Sequence, residues 1–277
     1  MLICRFAVGE DIWFGAVDGL DDDDQVTDES IVAPIEGHPF VDIRPEGSVM
    51  KLADVRLLAP VIPSKIVCVG KNYGEHAAEM ESQVPDQPLL FLKPSTAVIG
   101  SGDPIDLPWQ SERVEHEGEL AVVIGRMCKD ITVDRVDEVV FGYTCGNDVT
   151  ARDLQKSDGQ WARAKGFDTF CPLGPWIQTK LSVADADITV RVNGQQRPHG
   201  AIAARVLDVP AVVRVGPEPS RGAQSSPPYS HPRPTPGTQR PMQRSVHHHL
   251  SCRMKPVSYT HLRAHETSLH LVCRLLL

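Results

Sequence analysis

Along residues 1–58, short apolar runs (LICRFAV, IWFGAV, SIVAPI and VRLLAP) alternate with Gly, Asp and Pro. Runs of this length bounded by turn formers predict a small β-rich unit, with Asp21–Asp24 as a solvated turn between strands. At Pro60–Pro63 the pattern changes. KIVCVG (65–70) predicts a buried strand, NYGEHAAEM (72–80) a helical segment, and PLLFLKPSTAVIGSG (88–102) a strand broken at Lys93-Pro94 and ended by a Gly turn. HEGELAVVIG predicts a further strand, DRVDEVVFGYTCGND a passage from helix to strand, and Arg152–Gln155 a short turn. DITVRVNGQQR (187–197) reads as a hairpin turning at Asn193-Gly194. Strands outnumber helices and do not alternate regularly with them, which argues against a Rossmann-type sheet and for a β-rich α+β fold.

Beyond Val213 this grammar stops. SSPPYSHPRPTPGTQRPMQRS carries Pro, Arg and Ser without an apolar period, the composition of disorder. The closing VSYTHLRAHETSLHLVCRLLL resembles translated sequencing-adapter read-through, and the stretch before it reads as out-of-frame coding sequence. The expected organisation is therefore a β-rich unit over residues 1–60, a catalytic domain over 61–214, and a non-native, disordered tail over 215–277. His247–His249 in that tail lack ligand spacing and are not taken as a metal site.

Charge follows the same division. Residues 1–219 hold 20 Lys+Arg against 35 Asp+Glu, a net of −15; residues 220–277 hold 8 against the single acid Glu266, a net of +7, which gives the whole chain −8. An acidic body does not attract nucleic acid. No stretch approaches a membrane span, and MLICRFAVGEDIW lacks the regions of a signal peptide. Seven scattered cysteines without a CxxC pair suit a reducing cytoplasm rather than a disulfide framework or a zinc knuckle.

The candidate chemistry lies in the middle. Glu117 and Glu119 sit two apart in an apolar run, so strand alternation sends both to one face. Asp148 follows the next apolar run, where a strand hands over to a turn. Three converging carboxylates form a hard-oxygen site for Mg²⁺ or Mn²⁺ that leaves coordination positions for water and substrate. His116 points away from Glu117 and Glu119 on the same alternation and is not counted as a ligand.

Five consecutive blocks then carry a resemblance: KIVCVGKNYGEHAAEM, PLLFLKPSTAVIGSGDPIDLP, VEHEGELAVVIGR, FGYTCGNDVTARDLQ and WARAKGFDTFCPLGPWI. In content, order and spacing they resemble the fumarylacetoacetate hydrolase family over roughly residues 63–210. The resemblance implies a mixed β-sheet roll or barrel with short helices, a homodimer, and one divalent metal per site. It implies Glu117, Glu119 and Asp148 as ligands, His76 and Glu79 as the water-activating pair, Lys165 as the active-site lysine, and Arg152 and Gln155 as substrate-facing groups. Lys93 is given a supporting role.

Members of the family cleave or rearrange C–C bonds in short keto acids. The leading expectation is hydrolysis of a 2,4-diketo acid through a metal-stabilised enolate. Isomerisation and decarboxylation of 2-hydroxyhepta-2,4-diene-1,7-dioate, oxaloacetate decarboxylation, and a binding or truncated relative without turnover are the alternatives. The family normally continues past the VNG hairpin into a strand and a Gly-Thr-Pro turn. Neither is present here, so the fold is expected to be incomplete at its C-terminus, with one open sheet edge.

Overall fold

The computed structural model describes residues 1–21, 25–70, 88–192, 195–197, 209–210, 213 and 248–253. The first apolar runs form β1 (Leu2–Val8), β2 (Asp11–Asp18), β3 (Ile31–Ile35) and β5 (Arg56–Leu58), with the short β4 (Met50–Lys51) between the last two. Across the Pro60–Pro63 boundary follow β6 (Ile66–Gly70), β7 (Leu89–Lys93), β8 (Val98–Ile99), β9 (Val114–Glu115), β10 (Gly118–Ile124), β11 (Val140–Asn147), β12 (Thr150–Ala151) and β13 (Cys171–Gln178). Two short helices, α1 (Arg152–Ser157) and α2 (Ala162–Lys165), lie between β12 and β13. The last strands are β14 (Asp187–Val192), β15 (Gln195–Arg197) and β16 (His248–Arg253). No helix among the described residues is long and apolar enough to cross a membrane.

The main sheet runs β10-β11-β13-β1-β2-β3-β4, with β5 paired to β1 and β8 to β13. Its pairings are antiparallel except β13–β8, which is parallel. The β-rich α+β expectation therefore holds, with a mixed sheet and short helices. The composition break at residues 60–63 does not break the sheet. Strand β1 pairs with β13 through Leu2↔Gln178, Ile3↔Ile177 and Cys4↔Trp176, while its other half takes β5. Backbone ladders are non-local and ignore composition, so a linker-like Pro pair can lie between strands of one sheet.

Strand β10 explains how the fold serves the site. It is buried on both faces, and alternation divides it cleanly. Leu120, Val122 and Ile124 join a core with Val67, Ile188, Val190 and Val213, whereas Ala121 and Val123 join another with Ile66, Cys68, Cys171 and Ile177. Glu119 continues the Ala121–Val123 row, so its face leads from apolar core straight into the carboxylates. Two details differ from the sequence reading. The strand begins at Gly118, leaving Glu117 in the break after β9, and the Arg152–Gln155 turn is the opening of α1. The helical segment at 72–80 and the Asn193-Gly194 turn lie outside the described residues, although β14 and β15 pair as the predicted hairpin.

In the tail, six residues are described as a strand. Strand β16 lies antiparallel along β14, from Asp187↔Arg253 to Val192↔His248. Edge pairing needs only main-chain N–H and C=O groups, so it does not require the apolar periodicity on which the tail was excluded.

Candidate active site

The carboxylates of Glu117, Glu119 and Asp148 converge, with one oxygen of each lying within 4.8 Å of the other two. Their arrangement follows from where the β10–β11 ladder ends, at Gly118↔Asn147. Just beyond it, the Asp148 N–H donates to the Glu117 carbonyl at 2.8 Å, and the Glu117 N–H donates to Asn147 Oδ1 at 3.0 Å. These two bonds bracket the Glu117 backbone against the Asn147-Asp148 pair. Asn147 was not singled out from sequence; its adjacency to Asp148 was the available signal.

Three cations close on two of the carboxylates. Lys165 Nζ donates to Asp148 Oδ2 at 2.5 Å and to Glu117 Oε2 at 2.7 Å. Lys93 Nζ donates to Asp148 Oδ1 at 2.6 Å and to the Val149 carbonyl at 3.2 Å. Arg152 Nη2 is ion-paired with Glu117 Oε1, while its Nε donates to Glu115 Oε2 at 2.8 Å and its Nη1 to Gln155 Oε1 at 3.0 Å. Lys93, Lys165 and Asp148 are almost wholly buried, with side chains 0%, 3% and 1% exposed, so these pairs are little screened by solvent. Lys93 has a firmer place here than the supporting role read from sequence.

Local structure fixes each cation. Lys93 ends β7, and Lys165 ends α2, where a Cβ on Gly166 would overlap the Ala162 carbonyl. The Lys165 ammonium lies 4.9 Å from the Phe91 ring centre and 5.9 Å from that of Trp161, an aromatic setting that suits a buried cation. Trp161 packs so closely on Gly70 that a Cβ there would come within 2.6 Å of the indole. Arg152 opens α1, whose first turn is stitched to the strap before β9. Ser111 Oγ donates to Asp153 Oδ1 at 2.5 Å, and the Glu112 N–H donates to Asp153 Oδ2 at 2.8 Å.

The electrostatics divide the trio. Burial would raise the Glu117 carboxyl, but Lys165 and Arg152 outweigh it by charge and hydrogen bonding and hold it at about 2. Burial, and then the charges of Asp148 and Glu117, push the Glu119 carboxyl well above the usual range. Glu119 Oε2 is buried with no hydrogen-bond partner among the described residues. A buried carboxylate oxygen without a donor is costly, and a divalent cation is the partner that would satisfy it alongside two further hard oxygens. The residues present therefore fit Mg²⁺ or Mn²⁺. His116 does not belong to this group of three. His76 and Glu79 lie outside the described residues.

A second orphan adjoins the centre. Asn147 Nδ2 is buried without a hydrogen-bond partner among the described residues, and Asn147 lines a cavity of about 30 Å³ with Gly100, Asp103, Cys145 and Leu173.

Strand ends, the loop after β11 and two short helices thus bring three carboxylates and three cations to one point. The chain belongs to the fumarylacetoacetate hydrolase family: residues 65–215 match the model described as fumarylacetoacetate (FAA) hydrolase C-terminal, and residues 1–60 match the Rv2993c-like N-terminal model. It is 48% identical over 217 residues to protein Rv2993c of Mycobacterium tuberculosis, covering 77% of this chain and 80% of that one. The structure is similar to that of 2-hydroxyhepta-2,4-diene-1,7-dioate isomerase from Mycobacterium marinum, with a TM-score of 0.69, 45% identity, and coverage of 77% of this chain and 80% of that one. It is also similar, at 28% identity and a TM-score of 0.58, to maleylpyruvate hydrolase from Sphingobium sp. SYK-6 in complex with manganese(II) and pyruvate, covering 77% and 81% of the two chains. The family relatives thus include isomerases, hydrolases and oxaloacetate tautomerases such as YisK of Bacillus subtilis, 40% identical over 60% of this chain and 58% of that one.

Proposed function

We propose that this chain hydrolyses a C–C bond in a 2,4-diketo acid of the acylpyruvate or fumarylacetoacetate kind, with a divalent cation as cofactor. The observation that carries the reading is the buried Oε2 of Glu119, without a hydrogen-bond partner among the described residues, beside two carboxylates already neutralised by Lys93, Lys165 and Arg152. Glu117, Glu119 and Asp148 would hold Mg²⁺ or Mn²⁺, which supplies Lewis acidity toward the carboxylate and 2-oxo oxygens of the substrate.

The remaining steps belong to the chain's own residues. Lys165 sets a fixed positive charge beside the centre, where negative charge develops on the 2-oxo oxygen as the C–C bond breaks. Arg152, steadied by Gln155, offers N–H donors to a substrate carboxylate. Lys93 fixes the rotamer of Asp148 by holding Oδ1. The family resemblance of NYGEHAAEM assigns His76, with Glu79, to take the proton from the attacking water.

A second reading is isomerisation or tautomerisation of a related 2-oxo acid. It is favoured by what the Mycobacterium marinum and Bacillus subtilis relatives are called, and it uses the same stabilised charge with no attacking water. The full chain, assayed with Mg²⁺, Mn²⁺ or EDTA on acylpyruvates, oxaloacetate and 2-hydroxyhepta-2,4-diene-1,7-dioate, tests both. Release of pyruvate and a carboxylic acid from an acylpyruvate is the expected result. Keto–enol exchange or double-bond migration without cleavage would replace hydrolysis by the second reading, and absence of cation binding would end both. A cytoplasmic homodimer is proposed with this function, and sedimentation of the purified chain checks its state of assembly.

A further inference from the structure

Glu115 belongs to none of the roles assigned above, yet the Arg152 guanidinium is anchored through it. The β9–β12 ladder places Glu115 opposite Thr150, and just past this pair the Arg152 N–H donates to the Arg113 carbonyl at 2.8 Å. Glu115 uses its two oxygens on different cations: Oε2 accepts from Arg152 Nε at 2.8 Å and Oε1 from Arg113 Nε at 2.7 Å. The Arg113 side chain is 70% exposed and that of Arg152 only 21%. Arg113 is therefore an outer counter-charge that holds Glu115 in one rotamer, and Arg152 is the inner group that Glu115 in turn holds.

A guanidinium presents five N–H donors in a rigid fork. In Arg152 the contacts among the described residues take Nε to Glu115, Nη1 to Gln155 and Nη2 to Glu117. Among the described residues one N–H then remains on each terminal nitrogen to donate to a carboxylate. Without the anchor on Nε, a flexible arginine stem would leave the guanidinium tethered among the described residues by Glu117 and Gln155 alone.

We propose that Glu115 is the positioning residue for Arg152, holding the guanidinium by Nε so that its remaining terminal N–H groups meet the carboxylate of a 2-oxo acid. This rests on the reading of the centre as a 2-oxo acid site. The test uses the full chain with Mn²⁺ as wild type, Glu115→Ala, Glu115→Gln, Arg152→Ala and the Glu115→Ala/Arg152→Ala double variant. Two readouts are taken: KM and kcat on the keto acid that is turned over, and calorimetric affinity for oxalate, a small dianion resembling the head of a 2-oxo acid.

Glu115→Ala should raise KM and the oxalate Kd by about tenfold with kcat within about threefold, the pattern of lost ground-state binding. Glu115→Gln keeps an acceptor for Nε and should recover most of that loss. In the Arg152→Ala background, removing Glu115 should add nothing, because it acts only through the arginine. Additive losses in the double variant, or an oxalate Kd unchanged in Glu115→Ala, would overturn the proposal. A wild type that binds oxalate yet turns over no keto acid removes the proposed reaction, and the oxalate series then decides the role of Glu115 by itself. If Glu115→Ala fails to fold, Arg113→Ala on its exposed side chain should give a smaller shift in the same direction; no shift overturns the proposal equally.

Discussion

The amino-terminal strands and the carboxylate centre share one sheet but are held by opposite means. Around β1–β3, Leu2, Cys4, Phe6, Val17, Val32 and Leu52 close on one another without charge, and the ion pairs of that region, such as Arg44–Asp42, lie in solvent. At the β10–β11 end the contacts that matter are buried charges, each held by a partner arriving from a distant element. Apolar burial stabilises wherever it occurs. Buried charge stabilises only when every member is matched, and here one oxygen of Glu119 has no match among the described residues. The first region can therefore lose stability without losing its chemistry, whereas the second gives up chemistry when it is made more comfortable.

Substitutions can break that contrast. Phe6→Ala removes a fully buried ring and should cost about 3–5 kcal/mol of unfolding free energy while leaving Mn²⁺ affinity within about twofold, as read by denaturant melts and calorimetry. A large change in cation affinity would show that the two regions are coupled. Lys93→Met keeps the volume but strips Asp148 of one partner, so about 3 kcal/mol should be lost in EDTA and visibly less with saturating Mn²⁺, because the cation offsets the missing charge. Equal losses under both conditions would deny Asp148 a place among the ligands.

Glu119→Gln should weaken Mn²⁺ binding by at least about 100-fold. In EDTA its melting temperature should equal or exceed that of wild type, since a desolvated carboxyl near two other carboxylates has been removed. A lower melting temperature would mean that the orphan oxygen has a stabilising partner. Arg44→Ala, on an exposed pair, should change stability by no more than about 0.5 kcal/mol.

These contrasts also mark what was legible in the sequence. Alternation in GELAVVI placed Glu119 correctly, because a strand buried on both faces leaves little freedom of register. The Glu117–Glu119–Asp148 group was readable for the same reason, although Glu117 reaches it through a strand break rather than through the strand. Lys93 and Lys165 approach Asp148 from elements 55 and 17 residues away; their meeting depends on packing that no local pattern encodes. Glu115 acquires meaning only through its pairing with Thr150, a ladder between two-residue strands too short to show a period. The boundary read at Pro60–Pro63 falls where the two family matches divide the chain, while the pairing of β1 with β13 across it leaves no record in composition.

The way β1 is shared has a consequence for how the chain is made. Its whole length can find β2, and its later half β5, as soon as the first sixty or so residues are synthesised, since those pairings are local. Its first residues must wait for β13: Leu2 pairs with Gln178, and the amino group of Met1 donates to Gln178 Oε1 at 3.2 Å, 177 positions along the chain. Until that strand leaves the ribosome, the edge formed by Leu2, Ile3 and Cys4 is unpaired and apolar, a hazard for association with other nascent chains. Closing so long a loop slows folding more than it weakens the finished sheet. The carboxylate centre depends on the same late event, because β13 is also the neighbour of β11, whose end carries Asn147 and leads directly to Asp148. Catalytic competence would thus arrive only with the pairing that joins the first residues of the chain to the far side of its sheet.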